Sequence, residues 1–163
     1  MSNSFRTLLL ILGFATLAPV AHAAGDAKRG EALVATCAAC HGADGNSPAP
    51  NFPKLAGLGE KYITKQLVDI KSGARVVPEM TGLLDNSSAQ DMEDMAAFYA
   101  AKPMQLSGAN ALTVKLNSGV EVDALELGEK IYRAGNLATA TPSCTGCHSP
   151  RGQGNAPAAF PRL

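Results

Sequence analysis

The sequence has no net charge to offer a polyanion. Its 14 Lys and Arg balance 14 Asp and Glu over 163 residues, and no basic cluster stands out. A nucleic-acid binder usually shows a basic excess or a basic stripe, so that class is excluded at the outset. Tryptophan is absent and aromatic residues make up only 5%. Long apolar runs are also missing beyond Ala23, where no stretch reaches the length of a membrane-spanning helix. Histidine is scarce, with three in all: His22, His41 and His148. A site built from several histidines is therefore out of reach.

The first 23 residues read as a secretory signal. Arg6 is a short positive start, Leu8 to Leu17 is an apolar core, and Ala21-His22-Ala23 fits the small-x-small cleavage rule. A membrane anchor would need a longer apolar run. Cleavage after Ala23 would leave a chain with one more acid than base, exported and soluble, in the periplasm. That chain would keep two histidines, His41 and His148, and all four cysteines, Cys37, Cys40, Cys144 and Cys147.

Each of those histidines directly follows a Cys-x-x-Cys pair: "CAACH" at 37–41 and "CTGCH" at 144–148. This is the form of a c-type haem attachment site. Two thiols bond the two vinyl groups of one haem, and the adjacent histidine supplies an axial nitrogen to the iron. A thioredoxin-like pair needs neither the histidine nor a second copy. Structural disulfides would suit an oxidising compartment, and a zinc site would need a second ligand pair close by. Two pentapeptides that together use every remaining Cys and His favour two covalently attached haem c groups.

The repeat continues downstream. "NFPKL" (51–55) follows the first pentapeptide, "AFPRL" (159–163) follows the second, and Gly30-Glu31 is echoed by Gly128-Glu129. In the first copy Asp26 is an N-cap for a helix over about 27–37. A Gly- and Pro-rich loop follows, then a helix over 60–72 with Ile63, Leu67 and Ile70 on one face. Ser88 with Asp91 forms a capping box for a last helix carrying Met92, Met95, Ala96 and Tyr99, ended by Pro103. No clear strand pattern is present, so the expectation is all-α: two tandem units, at 24–102 and 123–163, joined by a linker over 103–122.

Methionine is the usual soft sixth ligand where no second histidine is free. The candidates are Met80, Met92, Met95 and Met104. Met92 and Met95 have core spacing, whereas Met80 lies in a loop after Pro78 and is favoured for the first haem. No methionine follows Met104. At the first copy's spacing, a second ligand methionine would fall beyond Leu163.

These stretches resemble the cytochrome c4 family of dihaem class I cytochromes c. The residues carrying the resemblance are "CAACHGADGNSPAPNFPKLAG", "KQLVDIKSGAR", "EMTGLL" and "AQDMEDMAAFYA", followed by the second "CTGCH…FPRL". It is dense over 24–101, weak through 102–122 and resumes from Leu125. It implies haem one on Cys37 and Cys40, with His41 and Met80 as axial ligands, and haem two on Cys144, Cys147 and His148. It further implies that the Pro53 and Pro161 carbonyls accept hydrogen bonds from the two His rings. Gly30 would allow a close helix crossing near Phe98.

In the family the second unit continues through a helix, a methionine loop and a final helix. The present sequence reads as shortened at its C-terminus, with only the first half of its second unit. The alternatives are a natural short form with an open second iron, or Met104 reaching it from the linker. The family implies an electron shuttle, not an enzyme, taking electrons from a quinol-oxidising complex and passing them to a terminal oxidase. It would dock transiently, at a membrane surface if its partners lie there. The competing class is a dihaem peroxidase or gas-binding protein with an open second haem.

Overall fold

The computed structural model describes residues 24–106 and 112–163. The expected signal segment, 1–23, lies outside the described residues. Among them, no helix is long and apolar enough to cross a membrane.

The first unit is built on four helices: α1 (Ala27–Leu33), α2 (Ala35–His41), α3 (Glu60–Lys71) and α4 (Ala89–Ala100). Asp26 caps α1 by accepting from the backbone N–H groups of Lys28 and Arg29. This satisfies donors that the first helical turn leaves free. The single helix expected over 27–37 is instead two. Val34 sits at their junction with φ −94° and ψ 10°, and its side chain is buried in the core. A β-branched residue is a weak helix former, and here its burial sets the turn that redirects α2. The α4 start follows the expectation in full: Ser88 Oγ accepts from Asp91 N, and Asp91 Oδ2 accepts from Ser88 N.

α4 is the centre of the core. Met92, Met95, Ala96, Phe98 and Tyr99 pack with Val34, Ile63 and Leu84. α1 and α3 lie against α4. The α1 contact is so close that a Cβ built on Gly30 would stand 2.0 Å from the Asp94 carbonyl oxygen and 3.0 Å from Phe98 Cβ.

Asp94 is 2% exposed, and sequence periodicity gave no hint of it. Its carboxylate accepts from Arg29 Nε at 2.7 Å, Arg29 Nη2 at 2.9 Å, Asp26 N at 2.7 Å and Gln90 Nε2 at 3.0 Å. It is the polar clasp between α1 and α4. The Arg29 guanidinium, then the Asp26 N–H, hold this carboxyl well below the usual carboxylate range, against the opposing effect of burial. The stabilisation is therefore complete above the unfolded value of about 3.9 and is lost as pH falls through the folded one. Asp94→Asn is expected to destabilise the protein at neutral pH and by progressively less below about pH 4. Urea midpoints measured across that range check this, and a difference independent of pH would contradict it.

The segment expected as a linker holds most of a small antiparallel hairpin, β1 (Thr113–Lys115) with β2 (Glu121–Asp123). This corrects the reading that no strand is present. Val114, Leu116, Val120 and Val122 alternate with polar residues around Asn117-Ser118-Gly119. Gly119 adopts φ +85°, and Leu116 N donates to Val120 O at 2.8 Å. Alternation with a glycine-closed loop is a hairpin pattern. The rest of the fold is helical, as expected.

The second unit begins at once from β2. Asp123 caps α5 (Ala124–Ala134) by accepting from Leu125 N and Glu126 N. A short helix, α6 (Thr145–His148), follows. No residue of α5 is buried, and a Cβ on Gly128 would meet nothing within 4 Å.

Candidate functional site

The first Cys-x-x-Cys-His segment closes α2; in the second, Cys144 is the N-cap residue and 145–148 form the single turn of α6. A helical turn places the first cysteine and the histidine, four apart, on one face. The four cysteines are not joined in disulfides; Cys37, Cys40 and Cys144 are half-buried and Cys147 is exposed. Burial pushes the Cys37 thiol up.

The histidine rings are held alike. His41 Nδ1 lies 2.8 Å from the Pro53 carbonyl oxygen, and His148 Nδ1 lies 2.9 Å from that of Pro161. A carbonyl only accepts, so the proton sits on Nδ1 and Nε2 keeps its lone pair for a metal. An aromatic edge completes each cradle: Phe52 at 6.3 Å from His41, and Phe160 at 6.0 Å from His148. The chain turns sharply after each histidine, at Gly42 with φ 80° and ψ 152°, and at Ser149 with φ 66° and ψ 161°. That region is almost reserved for glycine. Ser149→Gly is expected to stabilise by roughly 1 kcal/mol, less the loss of the Ser149 Oγ bond to Gln153 N. Thermal unfolding reads the sign.

The loop between His41 and α3 is tied from both sides. Ser47 Oγ donates to Cys40 O at 2.9 Å. Asn46 donates to Pro103 O at 3.0 Å and accepts from Gln105 N at 2.8 Å. Met80 ends a short 3-10 turn, Pro78–Met80. It and Cys37 both pack, partly buried, against the core cluster of the first unit. Met92 and Met95 are within that core, as their spacing predicts, while Met104 is half-buried near Gly57. The two units meet where Arg162 N approaches Leu58 O at 3.4 Å, beside a cavity of about 210 Å³ lined by Leu58, Tyr62 and Phe160.

The donor set suits haem c: two cysteines within one turn and outside any disulfide, a neighbouring imidazole with Nε2 available, and a thioether against the same core. A further sign is a donor that sequence reasoning passed over. The Tyr99 hydroxyl is buried with no hydrogen-bond partner in the protein.

A family model for cytochrome c matches residues 27–106. Cytochrome c4 of Azotobacter vinelandii is 50% identical over an alignment spanning 100% of this chain and 75% of that protein. The chain belongs to the cytochrome c4 family. Cytochrome c4 of Pseudomonas aeruginosa is 52% identical, covering 100% of this chain and 74% of its own length. The crystal structure of reduced recombinant cytochrome c4 from Pseudomonas stutzeri superposes with a TM-score of 0.72 at 49% identity, over 86% of this chain and 73% of that one. The chain thus has the tandem class I cytochrome c fold of the family, carries covalently bound haem c in two units, and is a dihaem electron-transfer cytochrome. The peroxidase alternative gains no support from these matches to cytochrome c4.

Proposed function

We propose that Cys37 and Cys40 anchor one haem with His41 and Met80 as its axial ligands, and that Cys144, Cys147 and His148 anchor the other. The observation carrying this reading is the histidine cradle built twice, with Nδ1 held by a proline carbonyl at 2.8 and 2.9 Å. The bound haem supplies a one-electron iron couple. The chain supplies rigidity. Pro53 and Pro161 fix the two imidazoles, raise their basicity and keep Nε2 aimed one way. The Met80 thioether closes the first site and favours the reduced state.

The assignment extends to the setting. The first 23 residues act as an export signal cleaved after Ala23, and the protein works in the periplasm. The first unit spans 24–102 and the second starts at 123, with the hairpin segment between. A quinol-oxidising complex supplies electrons and a terminal oxidase receives them, through brief encounters, since redox partners usually share small interfaces.

A CO difference spectrum of the reduced protein, read against total haem, tests the ligand set. Met80→Ala is expected to open the first site, adding one CO per chain relative to the parent protein at unchanged haem content. The same CO uptake in parent and variant would remove Met80 from the site.

A further inference from the structure

The two histidine turns share a shape but not a residue. Gly42 follows His41 with φ 80° and ψ 152°, and Ser149 follows His148 with φ 66° and ψ 161°. Glycine takes that conformation freely, whereas serine is strained in it and stays only where its surroundings hold it. The backbone bonds across the two turns correspond. Gly45 N donates to Gly42 O at 3.1 Å, and Gly152 N donates to Ser149 O at 3.2 Å.

The second turn has a further support. The Tyr132 hydroxyl, from α5, donates to the Ser149 carbonyl at 2.6 Å. With Gly30-Glu31 laid on Gly128-Glu129, the first-unit counterpart of Tyr132 is Val34, whose side chain has no hydrogen bond to give. The strained serine is thus paired with a hydroxyl, and the relaxed glycine with a valine. Tyr132 is half-buried, and its hydroxyl also lies 3.7 Å from where a Cβ on Gly152 would stand. Ser149 joins His148 to the loop that carries the Pro161 carbonyl, the acceptor 2.9 Å from His148 Nδ1. α6 is a single turn with no side-chain cap, so the direction of His148 depends on that loop.

We propose that Tyr132 is a positioning residue for the second iron site: its hydroxyl pins the carbonyl of strained Ser149 and so keeps His148 Nδ1–H on the Pro161 carbonyl. The inference rests on the site assignment above, in which His148 is an axial ligand. The first unit needs no such clamp, because Gly42 makes the turn without strain. An Nδ1–H held by a carbonyl makes the imidazole a stronger base towards the metal, which favours the oxidised, more positive iron. Loosening that bond therefore raises the potential of the haem on His148.

Tyr132→Phe in the haem-loaded protein keeps the ring and removes only the hydroxyl. With isotope-labelled histidine, NMR of the reduced protein reads the exchange of each ring Nδ1–H with solvent. Expected are two haems per chain, exchange at His148 faster by about five- to tenfold, exchange at His41 unmoved, and one midpoint potential raised while the other stays. Ser149→Gly supplies the second arm. On that background the turn carries no strain, so Tyr132→Phe should have much less effect, and any haem lost from the single variant should return. Unmoved exchange at His148, equal effects at both histidines, or an undiminished effect on the Ser149→Gly background would overturn the proposal. The site assignment fails separately: His148 ring signals that do not shift when the iron is oxidised would remove it as a ligand, whatever Tyr132 does.

Discussion

With Cys37 and Cys40 both changed to serine, the exported protein is expected to carry one haem where its parent carries two, and to lose the cooperative unfolding of its first unit. The first unit is small, and its core is a handful of side chains around α4. Domains of such size bury too little apolar surface to hold much stability in reserve. Cys37 and Met80 pack against that core from its edge. A covalently fixed haem would extend the same core, and removing its anchors would take that contribution with it. Haem per polypeptide, from the pyridine haemochrome and the intact mass, reads the first effect, and circular dichroism on heating reads the second. Two haems per chain in the double variant would contradict the assignment of the first anchor. Changing Cys144 and Cys147 instead should also leave one haem, but with the first unit's unfolding intact.

Local chemistry was legible in the sequence, and long-range chemistry was not. The helices over 60–71 and 89–100 were announced by periodicity, and the Ser88–Asp91 box by its spacing. The pentapeptides at 37–41 and 144–148 were visible because both thiols and the imidazole lie within one turn. Val34 escaped notice because nothing local shows that its side chain is buried against α3 and α4. The hairpin has its alternation and its Asn-Ser-Gly turn in the sequence, but strands of three residues are too short to stand out beside a helical pattern. Asp94 reads as a solvent-facing acid on α4, and its strongest partners, Arg29 and Asp26, lie more than sixty positions away. Periodicity puts Tyr99 on the core face, where it is buried, but says nothing of its hydroxyl.

The crossing of α1 over α4 supports the second large prediction. Gly30→Val is expected to cost about 3 kcal/mol or more, since overpacking against backbone leaves no rotamer to escape into. The obstacle is the Asp94 carbonyl oxygen, 2.0 Å from where the new Cβ would stand. α1 would have to lift away, pulling Asp26 N and the Arg29 guanidinium from the Asp94 carboxylate, which would then be buried without them. Total stabilities of such domains are about 5–15 kcal/mol, so the variant should melt far below its parent or fail to retain haem. Gly128 is the matching glycine of α5 and provides the control. A Cβ there meets nothing within 4 Å. Gly128→Ala should therefore be neutral or stabilise this chain by roughly 0.5–1 kcal/mol, the ordinary gain for alanine over glycine inside a helix. Urea unfolding of both variants, followed by circular dichroism, decides the matter. If both prove equally damaging, α5 is packed against another helix in solution, and the open face seen at Gly128 is not the state that unfolds.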